Sequence, residues 1–374
     1  MCGSNHEIDR RYLGVVLFPL AVRRMDAWRC KCADQSSRNP GGPYTSSTTT
    51  TIVHSMHSGR ILKTWRKQGI NVIILEVDYN FAFKSHPELR RGTNPITRDG
   101  ARRFAALCRK FNIRLIPEFQ SLGHQSWKAE TFSLLSVYPA FDLTPGAFPN
   151  NEGIYCREWD PLNPEVWRVV FQLMDEIIDA FRADAFHVGS WMRSSCWARN
   201  SRHRRKAKTA GVLFAKAVNE IYAHLVRKRH VEMLMWGDRL IDGKKYDFGE
   251  WEASTNGTAA AIDLIPKDII VCPWHYELRD DYPSIPMFME KGFRVLPAGW
   301  KDLEATKALI EFSRLHADPK LLGHMFTTWG VKKEVRSLIF HRWSKGRTSR
   351  SLYEFRIADF GFRIENDGGV GPMD

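Results

Sequence analysis

The chain lacks any apolar run near the roughly 20 residues that a bilayer-crossing helix needs, so no membrane partner is expected. It also lacks a paired cysteine pattern. Its seven cysteines are scattered, and Cys30-Lys-Cys32 has the wrong spacing for a zinc knuckle and no matching second pair. Neither a disulfide framework nor a metal site is therefore expected, and no cofactor is called for. A convincing secretory leader is missing as well. The apolar stretch 12–22 is closed on both sides by arginine pairs and has no small-residue cleavage site, which leaves the compartment open. Apolar residues themselves are plentiful. With 43% hydrophobic and 12% aromatic residues in 374, the chain can bury a sizeable core, which excludes disorder, collagen and coiled coil as global descriptions. One barrel domain would use most of this length.

Acidic residues are missing in particular places. Residues 192–208 hold seven Lys+Arg and no Asp or Glu, residues 1–70 hold eleven against four, and residues 332–363 hold nine against three. These three segments together carry +20 of a net +13, so the remaining body is acidic at −7. A net positive charge suggests a polyanion partner, but here it is confined to segments of odd composition.

From residue 69 to 329 the text alternates short β-branched runs with amphipathic stretches. Strands are expected at 71–77 (NVIILEV), 113–118, 185–188, 232–236, 268–272, 293–296 and 324–328, each nearly continuous in apolar residues, as parallel strands buried on both faces are. Helices are expected between them, among them 164–181, opened by Asn163-Pro164, and 212–228. Seven β/α units in strict alternation predict an α/β fold, a (β/α)8 TIM barrel incomplete at its first strand, which should lie upstream of residue 69. The expected organisation is an unassigned segment 1–60, a barrel over 61–330 and an unassigned tail 331–374.

Catalytic groups of such barrels come from the C-terminal ends of strands. Those ends supply Asp78, Glu118 with His124 beyond it, His187, Trp236 with Asp238, Trp274 with His275 and Tyr276, Trp300 and Trp329. Tryptophan at four strand ends suits a hydroxyl-rich ligand, because the apolar faces of a pyranose stack on indole. The plainer reading is that these rings close the top of the core. Singly, His187 reads as a satisfied core histidine, and Asp238 as a partner of Arg239 or Lys244.

The segments IPEFQSLGH (116–124), AFHVG (185–189), MWGD (235–238) and TTW (327–329) resemble, in order and spacing, the glycoside hydrolase family 20 barrel of the β-N-acetylhexosaminidases. The likeness covers roughly residues 69–330. It implies retaining, substrate-assisted hydrolysis, in which the substrate's own 2-acetamido oxygen attacks the anomeric carbon, a Glu protonates the leaving oxygen and an adjacent Asp orients the acetamido group. It further implies that His124 binds sugar hydroxyls or supports the acid. Trp236, Trp274 and Trp329 would wall the pocket, and Tyr276 would donate to the developing oxazolinium oxygen. Asp78, Glu118, His187 and Asp238 enter as further substrate-binding candidates. The implied partner is an N-acetylhexosamine-containing glycan. A hydroxyl-binding Glu that the family often places two residues after the last Trp is replaced by Val331.

The family's central motif, His-x-Gly-x-Asp-Glu, here reads His187-Val-Gly-Ser-Trp-Met192. Trp191 and Met192 stand at the two carboxylate positions, so the chain as written has no general acid and little turnover is expected. Trp and Met each have a single codon, and in a frame starting at the last base of the Ser190 codon they force an Asp. Continued to Asn200, that frame can spell Met-Asp-Glu-Val-Phe-Leu-Leu-Gly-Glu-Glu, with its second Leu and its Gly also forced. A frameshift from about Ser190, resolved by about Val212, would explain both the lost dyad and the acid-free basic run. Two other readings compete. One is a non-catalytic carbohydrate-binding pseudoenzyme with Trp191 as a stacking surface. The other is a salt-sensitive polyanion binder using residues 193–208, disfavoured because the charge sits where the pattern of structure also stops, so no nucleic-acid partner is expected.

Overall fold

The computed structural model describes residues 15–18, 59–191, 209–300 and 302–327, with the backbone alone for 15–18, 190 and 191. Nine parallel strand segments form one sheet: β1 (Val15–Phe18), β2 (Val72–Glu76), β3 (Arg114–Leu122), β4 (Ala185–Trp191), β5 (Glu232–Trp236), β6 (Ile270–Cys272), β7 (Arg294–Val295), β8 (Ala298–Gly299) and β9 (Met325–Thr327). The spatial order is β8-β9-β1-β2-β3-β4-β5-β6-β7. β7 and β8 are two parts of one run, interrupted at Leu296-Pro297, where proline has no N–H to give the ladder. Trp274 bridges to Ala298, the N–H of Ala298 donates to Pro273 O at 2.8 Å, and that of Met325 donates to Pro297 O at 2.8 Å. The ring therefore closes, and eight strands make the barrel.

The first strand lies upstream of residue 69, as the alternation requires, but inside the segment 1–60 that carried no assignment. β1 pairs with β2 on one side (Val15 opposite Val72) and with β9 on the other (Val15 opposite Met325). Four residues are too short to show a period, and the neighbouring text contains none, so composition could not locate it.

Helices α1 (Arg60–Lys67), α2 (Arg98–Lys110), α3 (Pro164–Phe181), α4 (Ala210–Tyr222), α5 (Ser284–Glu290) and α6 (Leu303–Leu315) form the outer layer. α3 begins at Pro164, whose missing N–H is unneeded there, with the Asn163 side chain accepting from the Glu165 N–H, and it ends in a left-handed Arg182. The α4 turn runs on through a π-helical segment to Lys228. Strand alternation sorts the core into two layers. Ile73, Leu75 and Phe186 join the helices, whereas Val72, Ile74, Ile116, Ala185, Leu234, Ile270 and Cys272 fill the barrel interior. That interior is a packed plug, so it closes the floor of anything bound above it. At the opposite, N-terminal rim, Arg114 spans Asp184 (2.9 Å) and Glu232 (3.0 Å), and Arg294 reaches Glu232 at 2.5 Å. No helix among the described residues is long and apolar enough to cross a membrane.

Candidate functional site

The inward-facing parity of the strands determines what stands on this plug. Following Val72 and Ile74 inward leads to Glu76; Ile116 leads to Glu118 and Gln120; Ala185 leads to His187; Leu234 leads to Trp236; Cys272 leads to Trp274. Above them lies a cavity of about 300 Å³ at the C-terminal end of the barrel. Asp78, His124, Trp236, Trp274 and Tyr276 all line it.

One wall is aromatic. Trp274 and Tyr276 lie 4.8 Å apart between ring centroids with their planes tilted by 33°, and the buried Trp236 lies 4.7 Å from the His187 ring. Tyr276 is held from two directions. Its backbone N–H donates to Glu252 Oε1 at 3.2 Å, and its hydroxyl lies 3.3 Å from Thr327 Oγ1. Glu252 is itself fixed by the buried His275, whose Nδ1 lies 2.7 Å from Glu252 Oε2 and whose Nε2 lies 2.7 Å from Ser284 Oγ. The wall is thus preorganised by buried polar contacts behind it.

The opposite side is acidic. Glu76 and Asp78 stand side by side, and Gln120 ties the group together: its N–H donates to Asp78 Oδ1 at 2.8 Å, and its side-chain amide reaches Glu76 at 3.4 Å and Glu118 at 3.3 Å. Burial pushes the Asp78 carboxyl up to about 7, and the charge of Glu118 pushes the same way. Burial, with the charges of Asp78 and Glu118, also holds Glu76 well above the ordinary carboxylate range. Beneath them His187 Nδ1 lies 3.1 Å from Glu118 Oε1 and 3.2 Å from the backbone N of Gly189. Asp78 (φ 44°), Leu122 (φ 67°) and His124 (φ 55°) all turn through the left-handed region, a strain that marks this rim of the barrel.

His124 is kept neutral by burial and by the nearby Arg239 guanidinium, which bring it down to about 4. Arg239 belongs to a buried ion pair with Asp238, to which the Trp274 indole also donates. Glu118, His187 and Asp238 therefore lie below or behind the cavity lining rather than in it. Asp238 has the Arg239 partner that its sequence neighbours suggested. Trp191 ends β4 opposite Leu122; Met192 and Trp329 lie outside the described residues. No group of three or more metal-ligating side chains gathers among the described residues.

The cavity also has walls that sequence reading missed: Trp127, Tyr155 and Trp251, with Arg91, Glu252 and Arg279. The three aromatics sit on connections after β3 and β5, where no period points to them. The only available signal was Trp in loop text that otherwise reads as turns.

The catalytic-domain profile of glycosyl hydrolase family 20 matches residues 34–299. Among solved structures, the chain is similar to the chitobiase of Flavobacterium johnsoniae at 17% identity, covering 75% of this chain and 42% of that one with a TM-score of 0.51. It is similar to the β-N-acetylhexosaminidase of Bacteroides fragilis at 12% identity, over 86% and 61% of the two chains, with a TM-score of 0.51. An exo β-N-acetylglucosaminidase from Vibrio harveyi, solved in complex with N-acetylglucosamine, matches at 14% identity over 87% and 51%, with a TM-score of 0.52. At these identities the likeness is one of fold, and this chain spans roughly half the length of those proteins. No curated protein sequence matches the chain.

Proposed function

Because the chain belongs to glycosyl hydrolase family 20, we propose that its cavity receives the terminal N-acetylhexosamine of a glycan, in the manner of a retaining, substrate-assisted β-N-acetylhexosaminidase. The observation that carries this reading is the braced wall of Trp236, Trp274 and Tyr276 facing a bank of carboxylates across a closed-bottomed cavity. Indole faces stack on the pyranose and its acetamido methyl, and the carboxylates and His124 meet its hydroxyls. The Tyr276 hydroxyl donates to the acetamido oxygen as that oxygen attacks the anomeric carbon. Holding Tyr276 through Glu252 and His275 keeps this donor aimed where charge develops.

The written chain then stops short of hydrolysis. The position of the general acid is Met192 and that of the orienting carboxylate is Trp191, so no proton is delivered to the leaving oxygen. Loss of such an acid removes about 10²–10⁴-fold of rate. Titrating the protein with N-acetylglucosamine while following release of p-nitrophenol from the p-nitrophenyl β-glycoside tests both parts. Binding with negligible release is expected. Release at the rate of an intact hexosaminidase overturns the account of the dyad, and absence of binding overturns the whole reading.

Two histories fit a lost dyad: a pseudoenzyme kept for binding, or an interrupted reading frame. The three forced codon matches after Gly189 favour the second. Sequencing the template across codons 180–215 decides between them. A base change restoring Met-Asp-Glu after Gly189 identifies an ordinary hexosaminidase, whereas an unchanged frame leaves a sugar-binding protein.

A further inference from the structure

We infer that the outer face of α1 and α2 is a docking surface for a sulfated polysaccharide, away from the cavity, whose lining includes neither helix. The choice of a glycan among polyanions rests on the binding reading above; the surface itself does not. Helix α1 carries Arg60, Lys63, Arg66 and Lys67, all exposed, and no acid. Helix α2 carries five Lys+Arg against Asp99 alone. The two helices lead into β2 and β3, which pair from Val72 opposite Arg114 to Glu76 opposite Glu118, so they stand side by side on the barrel wall. The Phe111 ring at the end of α2 comes within 3.0 Å of the place that a Cβ on Gly59, before α1, would take.

The other long outer helices are not charged this way. Helices α4 and α6 hold equal numbers of each sign, and α3, which packs beside α2, has one arginine against four Asp+Glu. Their cations find acids within the helix: Arg168 lies 2.5 Å from Glu165, Lys216 2.7 Å from Glu220 and Lys307 2.8 Å from Glu304. On α1 and α2 the one such pair among the described residues is Arg102 with Asp99, at 3.9 Å. Lys63 with Lys67 and Arg98 with Arg102 are like charges four residues apart, an arrangement that weakens a helix. A partner of opposite sign removes that repulsion.

The charges form rows. Arg102 and Arg109 share one stripe of α2 and Arg103 and Lys110 the next, each pair separated by about 10 Å along the axis. Arginine predominates, and its planar fork suits the oxygens of a sulfate. The large apolar side chains exposed among the described residues all lie elsewhere, and Leu62, Trp65 and Phe104 turn into the core. The face therefore has no apolar edge to enter a lipid surface and no aromatic platform for nucleic-acid bases. A linear chain of sulfates requires neither.

Fluorescence anisotropy with a labelled heparin decasaccharide reads this docking. The intact chain should bind it, with affinity falling at least about tenfold between about 50 and 200 mM salt. Combining Lys63→Gln, Lys67→Gln, Arg102→Gln and Arg109→Gln should weaken binding about tenfold or more. These side chains are exposed and glutamine keeps their helix propensity, so the affinity for N-acetylglucosamine should not change. A second variant with Arg202→Gln, Arg204→Gln, Arg205→Gln and Lys206→Gln, in the acid-free run 192–208, should stay within about twofold of the parent. The inference is overturned if the parent does not bind the decasaccharide, or if the second variant loses binding and the first does not. It is equally overturned if the first variant loses N-acetylglucosamine and heparin in parallel. Duplex DNA of equal charge, or phosphatidylserine vesicles, binding as tightly as the decasaccharide would also overturn it. Failure of N-acetylglucosamine to bind the parent chain overturns the proposed function and not this surface, which the heparin result alone decides.

Discussion

The Asp238 carboxylate lies 2.5 Å from Arg239 Nε with both side chains at or below 1% exposure, and this one pair braces two walls of the cavity. Asp238 accepts the indole N–H of Trp274, while Arg239 holds the carbonyls of Glu250 and Trp251. Removing one partner of a buried pair strands the other charge, typically at a cost of about 3–5 kcal/mol. Asp238→Asn should therefore lower unfolding free energy by about that amount and shift tryptophan fluorescence in the folded state. Urea denaturation checks it, and a loss under about 1 kcal/mol would place the pair among weak surface contacts instead.

The Glu76–Asp78 pair makes stability depend on pH. Below the ordinary carboxylate range both folded and unfolded chains hold these protons. Above it the unfolded chain releases them while the folded chain keeps Asp78 protonated up to about 7. Stability from this group is thus fully present in acid and is lost as pH rises toward 7. His124, pulled down to about 4, contributes the opposite slope between there and its ordinary value near 6.5. The difference between variant and parent isolates the carboxylate. Asp78→Asn should match the parent near pH 4 and exceed it by at least about 1.4 kcal/mol, one pKa unit's worth, at pH 7.5. Thermal melts across that range that stay parallel would refute the raised pKa.

Gly189 has φ 62°, and a Cβ built there would fall 2.2 Å from Gln120 Oε1 and 3.2 Å from its Cα. Gly189→Ala should cost about 2–4 kcal/mol, part torsional and part steric. Combining it with Gln120→Ala should recover the steric part only. Full recovery in the double variant would show that the left-handed backbone there is not strained.

Restoring the acid tests the reading of the dyad directly. With Trp191→Asp and Met192→Glu together, release of p-nitrophenol from the β-glycoside should rise at least about 10²-fold. Sugar binding that persists without any gain in rate would mean that the missing dyad is not what limits turnover.

Much of the barrel was legible because burial on both faces of a parallel strand leaves an unmistakable text. The runs at 71–77 and 232–236 and the helix opened by Asn163-Pro164 appear where the pattern puts them. The run 293–296 proved to be only half of its strand, since Pro297 breaks the ladder before Ala298–Gly299 resumes it. Within the cavity, Asp78, His124, Trp236, Trp274 and Tyr276 follow from strand ends and inward parity. Trp127, Tyr155 and Trp251 did not, because loop residues meet through tertiary closure and carry no period. Glu252 was equally hidden, since its effect is to orient a neighbour.

The pairing of Val15 with both Val72 and Met325 bears on how the chain reaches this shape during synthesis. The two sides of that first strand contact segments 253 residues apart in the chain, so its seam with the last strand cannot be sealed until nearly the whole domain has left the ribosome. Until then β1 presents a bare parallel edge on the side away from β2, in a topology already slowed by distant contacts. The pairing of β1 with β9 thus acts as the last rivet, and its formation sets how long the nascent chain stays open to association with its neighbours.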